Sequence, residues 1–131
     1  MGIGVRVVDE QRIYVVIAAT IQTAQRNVVQ PSGRQIAQAC HVTSKLRWQA
    51  ATLGGSAMLK GVFTTIILQA RDSAEMGHIH YLLHKKKLDP VIFSDTNPEY
   101  GPGEWPTAVA VLATKKQTRG ILDYLPMWGP K

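Results

Sequence analysis

Between Arg12 and Ala19 the chain reads RIYVVIAA, rich in β-branched residues and apolar at almost every position. A half-buried strand alternates apolar and polar side chains. A nearly continuous apolar run of strand length belongs instead to a strand covered on both faces. The sequence therefore starts from a central buried strand, and the rest of the chain has to supply cover for two sides of one sheet.

The following segments fit that demand. Residues 20 to 31 (TIQTAQRNVVQP) read as a long polar connection, a kind of segment that often carries function. Ser32 is a suitable N-cap for a helix over about 33 to 50, with Ile36, Ala39, Cys40, Thr43 and Leu46 at helical spacing on its core side. The Gly54-Gly55 pair stops it. Val62 to Ala70 reads as a second strand. Asp72, with Glu75 three residues on, caps a second helix whose buried stripe is Met76, Ile79, Leu82 and Leu83. Asp89-Pro90 ends that helix. Val91 to Ser94 is a third strand, 95 to 105 a loop crowded with Pro and Gly, and Thr107 to Thr114 a fourth strand. A short helix over Lys115 to Tyr124 and a tail complete the chain. The expectation is one α/β domain over 1–131, its core about 12–125, with a mixed four-stranded sheet and helices on both faces.

Charge supplies the first functional clue. Fifteen Lys and Arg against nine Asp and Glu give a net charge of +6, which favours polyanionic partners. The single cysteine, Cys40, excludes an intramolecular disulfide framework and a Cys-rich zinc site. No apolar window approaches the ~18 residues of a membrane-spanning helix. Residues Met1 to Gln11 lack the pattern of a secretory signal, so the expected location is the cytoplasm and no membrane partner is expected.

Several side chains are chemically capable. His80 and His84 stand at i, i+4, yet the motif is HYLLH, without the carboxylate of a metalloprotease helix; with His78 they read as surface histidines, and no metal is expected. His41 lies three residues after Gln38 on the first helix, so the two are neighbours there. Cys40 beside His41 is not a nucleophile–base pair, because adjacent helical residues point about 100° apart; its place on the apolar stripe reads as core. Ser32-Gly33-Arg34 either opens a plain capped helix or holds a phosphate on free backbone N–H groups and the Arg34 fork. Asp95, at a strand end beside a loop, is either a general acid or base or a turn residue.

The order of these pieces resembles the second, archaeal and eukaryotic, type of peptidyl-tRNA hydrolase. That family's first helix begins with Gly-Lys-Ile-Ala-Ala-Gln-x-x-His; here Gly33-Arg34-Gln35-Ile36-Ala37-Gln38-Ala39-Cys40-His41 keeps the Gly, Gln and His at the same spacing. Asp95 is similar to the family's strand-ending Asp, and Thr107, twelve residues later, to the Thr that enters the last strand, followed by Ala108-Val109-Ala110-Val111. The chain departs from the family at Arg34, which replaces a lysine, and over Thr96 to Tyr100, where Glu99 stands for a loop threonine.

The resemblance implies hydrolysis of the ester between a peptide and the terminal ribose of tRNA, without a cofactor. Asp95 would orient or deprotonate water, with His41. Arg34 and Gln38 would contact the carbonyl oxygen or the terminal phosphate, and Thr107 would be a hydrogen-bonding wall. Lys45, Arg47 and the run Lys85, Lys86 and Lys87 would track the tRNA backbone, the run alternatively being a helix end that suits the dipole. Family members often pair, and the Trp128 tail is a candidate for a homodimer contact. Two other readings go with the departures: a catalytically impaired relative acting as an RNA-binding or protein-interaction module, or a pocket for a different small ester or amide.

Overall fold

The apolar run forms β1, Gln11–Gln22, in which Ile13 to Ala18 are buried without a break. The structure is a computed structural model and describes residues 10–52 and 63–129. After β1 come β2 (Asn27–Val29), α1 (Ser32–Thr52), β3 (Thr65–Asp72), α2 (Ser73–Lys85), β4 (Val91–Asp95), a one-turn 3-10 helix (Pro98–Tyr100) and β5 (Trp105–Thr114). The Gly54-Gly55 stop, Val62 and the last two residues of the tail lie outside the described residues, as does most of the Met1 to Gln11 segment.

β1 pairs in parallel with β3 and antiparallel with β5, and β5 pairs antiparallel with β4. The sheet is mixed, in a single α/β domain. It has five strands rather than four, because β2 pairs with the end of β1. Thr20 is the partner of both Asp72 and Val29, so β2 continues the edge of β1 that β5 occupies. The polar connection thus hides a hairpin. The Thr23 hydroxyl accepts from the N–H groups of Gln25 and Arg26, closing a turn without glycine. Only Val28 of the three β2 residues is buried, which leaves no strand signature in the sequence.

The two helices cover opposite faces. Ile13, Val15 and Ile17 pack with Ala39, Val42 and Leu46 of α1, whereas Tyr14, Val16 and Ala18 pack with Met76, Ile79 and Leu83 of α2. Alternate side chains of a strand point to opposite faces, so a strand apolar throughout needs a helix on each side.

α1 is rotated relative to the expected stripe. Its buried positions are Gln35, Gln38, Ala39, Val42 and Leu46, while Ile36 is 49% exposed and Cys40 is exposed. Two buried glutamines displace the apolar pattern, because each has hydrogen-bond partners inside. The Pro31 carbonyl accepts the first helical bond from Gln35 N–H, so Ser32 sits inside the first turn and is not the cap.

α2 keeps its expected cap, and of its expected stripe Met76, Ile79 and Leu83 are buried while Leu82 is partly buried. The Asp72 carboxylate accepts from Glu75 N–H at 2.9 Å, and Glu75 accepts in return from Arg71 N–H at 2.8 Å. Its end comes before Asp89-Pro90. Lys87 adopts φ 60° while Leu88 N–H reaches the Leu83 carbonyl and Lys87 N–H the His84 carbonyl. This is a Schellman stop with lysine in the place usually given to glycine.

Residues 115 to 124 form successive turns rather than the expected helix. Gly120, at φ 81°, breaks the helical path, and the Asp123 carboxylate accepts its N–H. The tail then returns to the sheet: Trp128 N–H donates to the Ile67 carbonyl and Gln69 N–H to the Pro126 carbonyl, covering β3. Among the described residues no helix is long and apolar enough to cross a membrane.

Candidate functional site

Gln38, Asp95 and Thr107 come together where α1 crosses the junction of β4 and β5. Gln38, 1% exposed, donates from Nε2 to Asp95 Oδ2 at 2.8 Å. Its Oε1 accepts from the Thr107 hydroxyl at 3.0 Å, and that hydroxyl also lies 3.3 Å from the Phe93 carbonyl. Asp95 Oδ1 accepts from Thr96 N–H at 2.9 Å. The amide orientation follows from the chemistry, since a carboxylate demands the NH2 end and leaves the oxygen for the hydroxyl.

A β-bulge makes this meeting possible. Phe93 pairs with Ala108 and Ser94 with Pro106, leaving Thr107 as the extra residue of β5. An unpaired bulge residue re-aims its side chain, and here it sends a threonine under α1. Pro106 suits that position, because proline inside a sheet is confined to edges and bulges. Thr107 is fully buried, so it backs Gln38 rather than walling a substrate. Gln38 is likewise buried and has both amide ends engaged. Asp95 is the member of the three that is partly exposed.

Arg34 lies one helical turn earlier. Its guanidinium grips Glu99 with two bonds, Nη2 to Oε1 at 3.2 Å and Nη1 to Oε2 at 3.4 Å, and sits 5.9 Å from the centroid of the Tyr100 ring. The hydrogen bond to Glu99 raises the Arg34 pKa further above its ordinary value, and the same bond holds the Glu99 carboxyl below the usual carboxylate range. Arg26 Nη2 donates to the Glu99 carbonyl at 2.8 Å. The loop is anchored by Tyr100, 2% exposed, whose hydroxyl donates to Gln30 Oε1 at 3.2 Å. Burial pushes the Tyr100 phenol up.

The remaining expected residues scatter. His41 is exposed, and its ring lies 5.0 Å from that of Phe93, two residues before Asp95 on β4. Lys45 Nζ donates to the Ile92 carbonyl at 2.7 Å, and Arg47 lies over the Phe63 ring at 5.9 Å. The run Lys85 to Lys87 ends α2, on the other face of the sheet from α1. Within it Lys86 donates to the Gln117 and Arg119 carbonyls at 3.2 and 3.4 Å, and all three lysines are exposed. His80 and His84 stack at 6.4 Å, and no group of three metal-ligating side chains occurs among the described residues. Trp128 is spent within its own chain: its Nε1 donates to Gln35 Oε1 at 2.9 Å.

Sequence reasoning missed the Arg34–Glu99 pair, the Tyr100 anchor and the bulge. A tyrosine in the middle of a polar loop and a proline entering a strand were the signals for the last two. The sequence matches no protein-family model and no curated protein.

Proposed function

We propose that this chain hydrolyses the ester joining a peptide to the terminal ribose of tRNA, acting in the cytoplasm. The observation that carries the reading is the buried Gln38, which fixes a partly exposed carboxylate, Asp95, at the end of β4. Each oxygen of Asp95 accepts one hydrogen bond from the protein and keeps a lone pair for water. Asp95 orients a water and takes its proton as the water attacks the ester carbonyl; the acyl–oxygen bond to the ribose then breaks, the proton passes to the departing ribose hydroxyl, and the peptide leaves with a free carboxylate. Arg34 receives the terminal phosphate once Glu99 lets go, since the guanidinium fork that holds a carboxylate also fits a phosphate.

The test is release of labelled peptide from peptidyl-tRNA by wild type and Asp95→Asn. Loss of a general base lowers the rate about 10²- to 10⁴-fold. Binding of the tRNA is unchanged, because the carboxylate acts in the transition state. A wild type without activity refutes the reading. A variant that loses only stability makes Asp95 a turn residue.

A second reading is a catalytically impaired relative that binds RNA or protein. The bidentate Arg34–Glu99 pair favours it, because a carboxylate already occupies the anion seat. Salt-sensitive tRNA binding without hydrolysis would distinguish it. The resemblance also implies pairing into a homodimer, which sedimentation measures directly.

A further inference from the structure

Glu99 is held by two arginines from different elements. Arg34 of α1 takes both oxygens of its carboxylate, at 3.2 and 3.4 Å. Arg26, in the turn between β1 and β2, donates from Nη2 to its main-chain carbonyl at 2.8 Å. Arg34 does most to hold the Glu99 carboxyl below the usual carboxylate range, and the charge of Arg26 adds to it.

The backbones on both sides are pinned, and the side chains are not. Glu99 N–H donates to Asn97 Oδ1 and Tyr100 N–H to the Asn97 carbonyl, each at 2.9 Å, with the Tyr100 side chain buried beneath. The Arg26 carbonyl accepts from Thr23 N–H and the Thr23 hydroxyl, and Arg26 N–H donates back to that hydroxyl. Arg26 and Glu99 are both exposed. They border an open cavity of about 300 Å³, completed by Asn27, Val28 and Val29. A residue whose carbonyl already touches a guanidinium can bring its own carboxylate there by side-chain rotation alone, and the cavity gives that rotation room. A carboxylate that leaves Arg34 for water gives up a charge-assisted pair, whereas one that passes to Arg26 keeps one.

We infer that Arg26 is a positioning residue, the cation that takes the Glu99 carboxylate when an anion occupies Arg34. The inference rests on the reading of Arg34 as a phosphate seat and assigns the regulation of that seat. Glu99 plugs it in the free protein, and Arg26 draws the plug aside without touching the phosphate itself.

Two measurements on the full chain test it, the first without RNA. In Arg34→Gln the Glu99 carboxylate has lost its main partner. Its carbon-13 NMR titration midpoint should still lie below the ordinary glutamate value of about 4.3, and should return to that value when Arg26→Gln is added. A midpoint already at the ordinary value with Arg26 in place overturns the inference. The second measurement is a double-mutant cycle read by filter binding of tRNA. Arg26→Gln should weaken binding about 2- to 5-fold more in wild type than in Glu99→Gln, where no carboxylate needs a new partner; that is the scale of an exposed ion pair. Equal losses in the two backgrounds overturn the inference and leave the phosphate seat standing. A salt slope lowered by about 0.7–0.9 in both would make Arg26 a phosphate contact instead. Absence of tRNA binding by all four proteins removes the seat, and the inference with it.

Discussion

Replacing Gln38 by glutamate is the sharpest probe of the buried junction. Gln38→Glu keeps the size and shape of the side chain and changes the group that faces Asp95 Oδ2 at 2.8 Å from an NH2 donor to an oxygen. In its protonated form the new carboxyl can still donate to Asp95 and still accept from Thr107, so the network survives. In its ionised form it places two carboxylates in contact at a position 1% exposed. Burial and the adjacent charge both disfavour that state, and together they raise the pKa of such groups by up to 3–5 units. A rise of about 3 units at about 1.4 kcal/mol each amounts to about 4 kcal/mol.

The sign follows from which form the folded state prefers. A carboxyl whose folded pKa is raised binds its proton more tightly in the native state than in the unfolded one. Relative to wild type, the variant is therefore little affected below the unfolded glutamate value of about 4.3 and loses stability as pH rises toward the folded value. Urea unfolding of both proteins between about pH 4 and pH 8 should give a difference that grows by about 4 kcal/mol across the range. That is a large share of the ~5–15 kcal/mol holding a domain together, so the variant should approach unfolding at the alkaline end. A difference that stays flat with pH would mean that residue 38 is solvated and makes no contact with Asp95.

Three further outcomes are expected. Glu99→Gln releases Arg34 and should tighten tRNA binding, steepening the log–log salt slope by about 0.7–0.9 for the one phosphate gained; filter binding over a salt series with no change of slope would remove Arg34 from the RNA surface. Cys40 is exposed and should react with a thiol reagent in the native protein at a rate within a few-fold of that in urea, whereas slow labelling would return it to the core. Burial, then the charge of His84, lowers the His80 pKa below 6.5 against a smaller opposing hydrogen bond with Pro90, so its NMR titration midpoint should fall under that value; the neutral ring then favours folding above about pH 6.5, a contribution lost as pH falls through the folded midpoint.

The fold was legible where one physical effect acted alone. Ile13 to Ala18 are buried on both sides, so hydrophobicity by itself marked β1. At the start of α2, Asp72 and Glu75 satisfy backbone donors through contacts three and four residues apart, within reach of sequence reading. α1 was misread in phase because Gln35 and Gln38 are buried by partners far along the chain, Trp128 and Asp95 among them, and no local window contains those partners. β2 depends on the Thr23 turn and on pairing with β1, neither of which needs an apolar residue outside. The site divides in the same way. Gln38, Asp95 and Thr107 could be named from family spacing, but their burial could not. Without that burial, Gln38 and Thr107 looked like substrate contacts rather than the support behind a carboxylate.

The two departures from the family pattern, Arg34 and Glu99, are 65 residues apart in sequence and in contact in space. In physical terms they act together as one change. A lysine at position 34 would present a point charge, whereas arginine presents a planar fork, and a fork is what a carboxylate at position 99 can fill with two bonds. The pair lies at the surface, with the Glu99 side chain 54% exposed, and exposed ion pairs are weak. An incoming phosphate carries more charge than the carboxylate and fits the same donors, so the pair is displaceable rather than locked. The Tyr100 ring lies 5.9 Å from the guanidinium and is itself fixed by Gln30, so it would hold Arg34 in place if a phosphate displaced Glu99. Under the proposed function, hydrolase and RNA-binding module would share the same first event, exchange of a carboxylate for a phosphate on Arg34. They differ only in whether Asp95, held one helical turn away by Gln38, then acts on a bound ester.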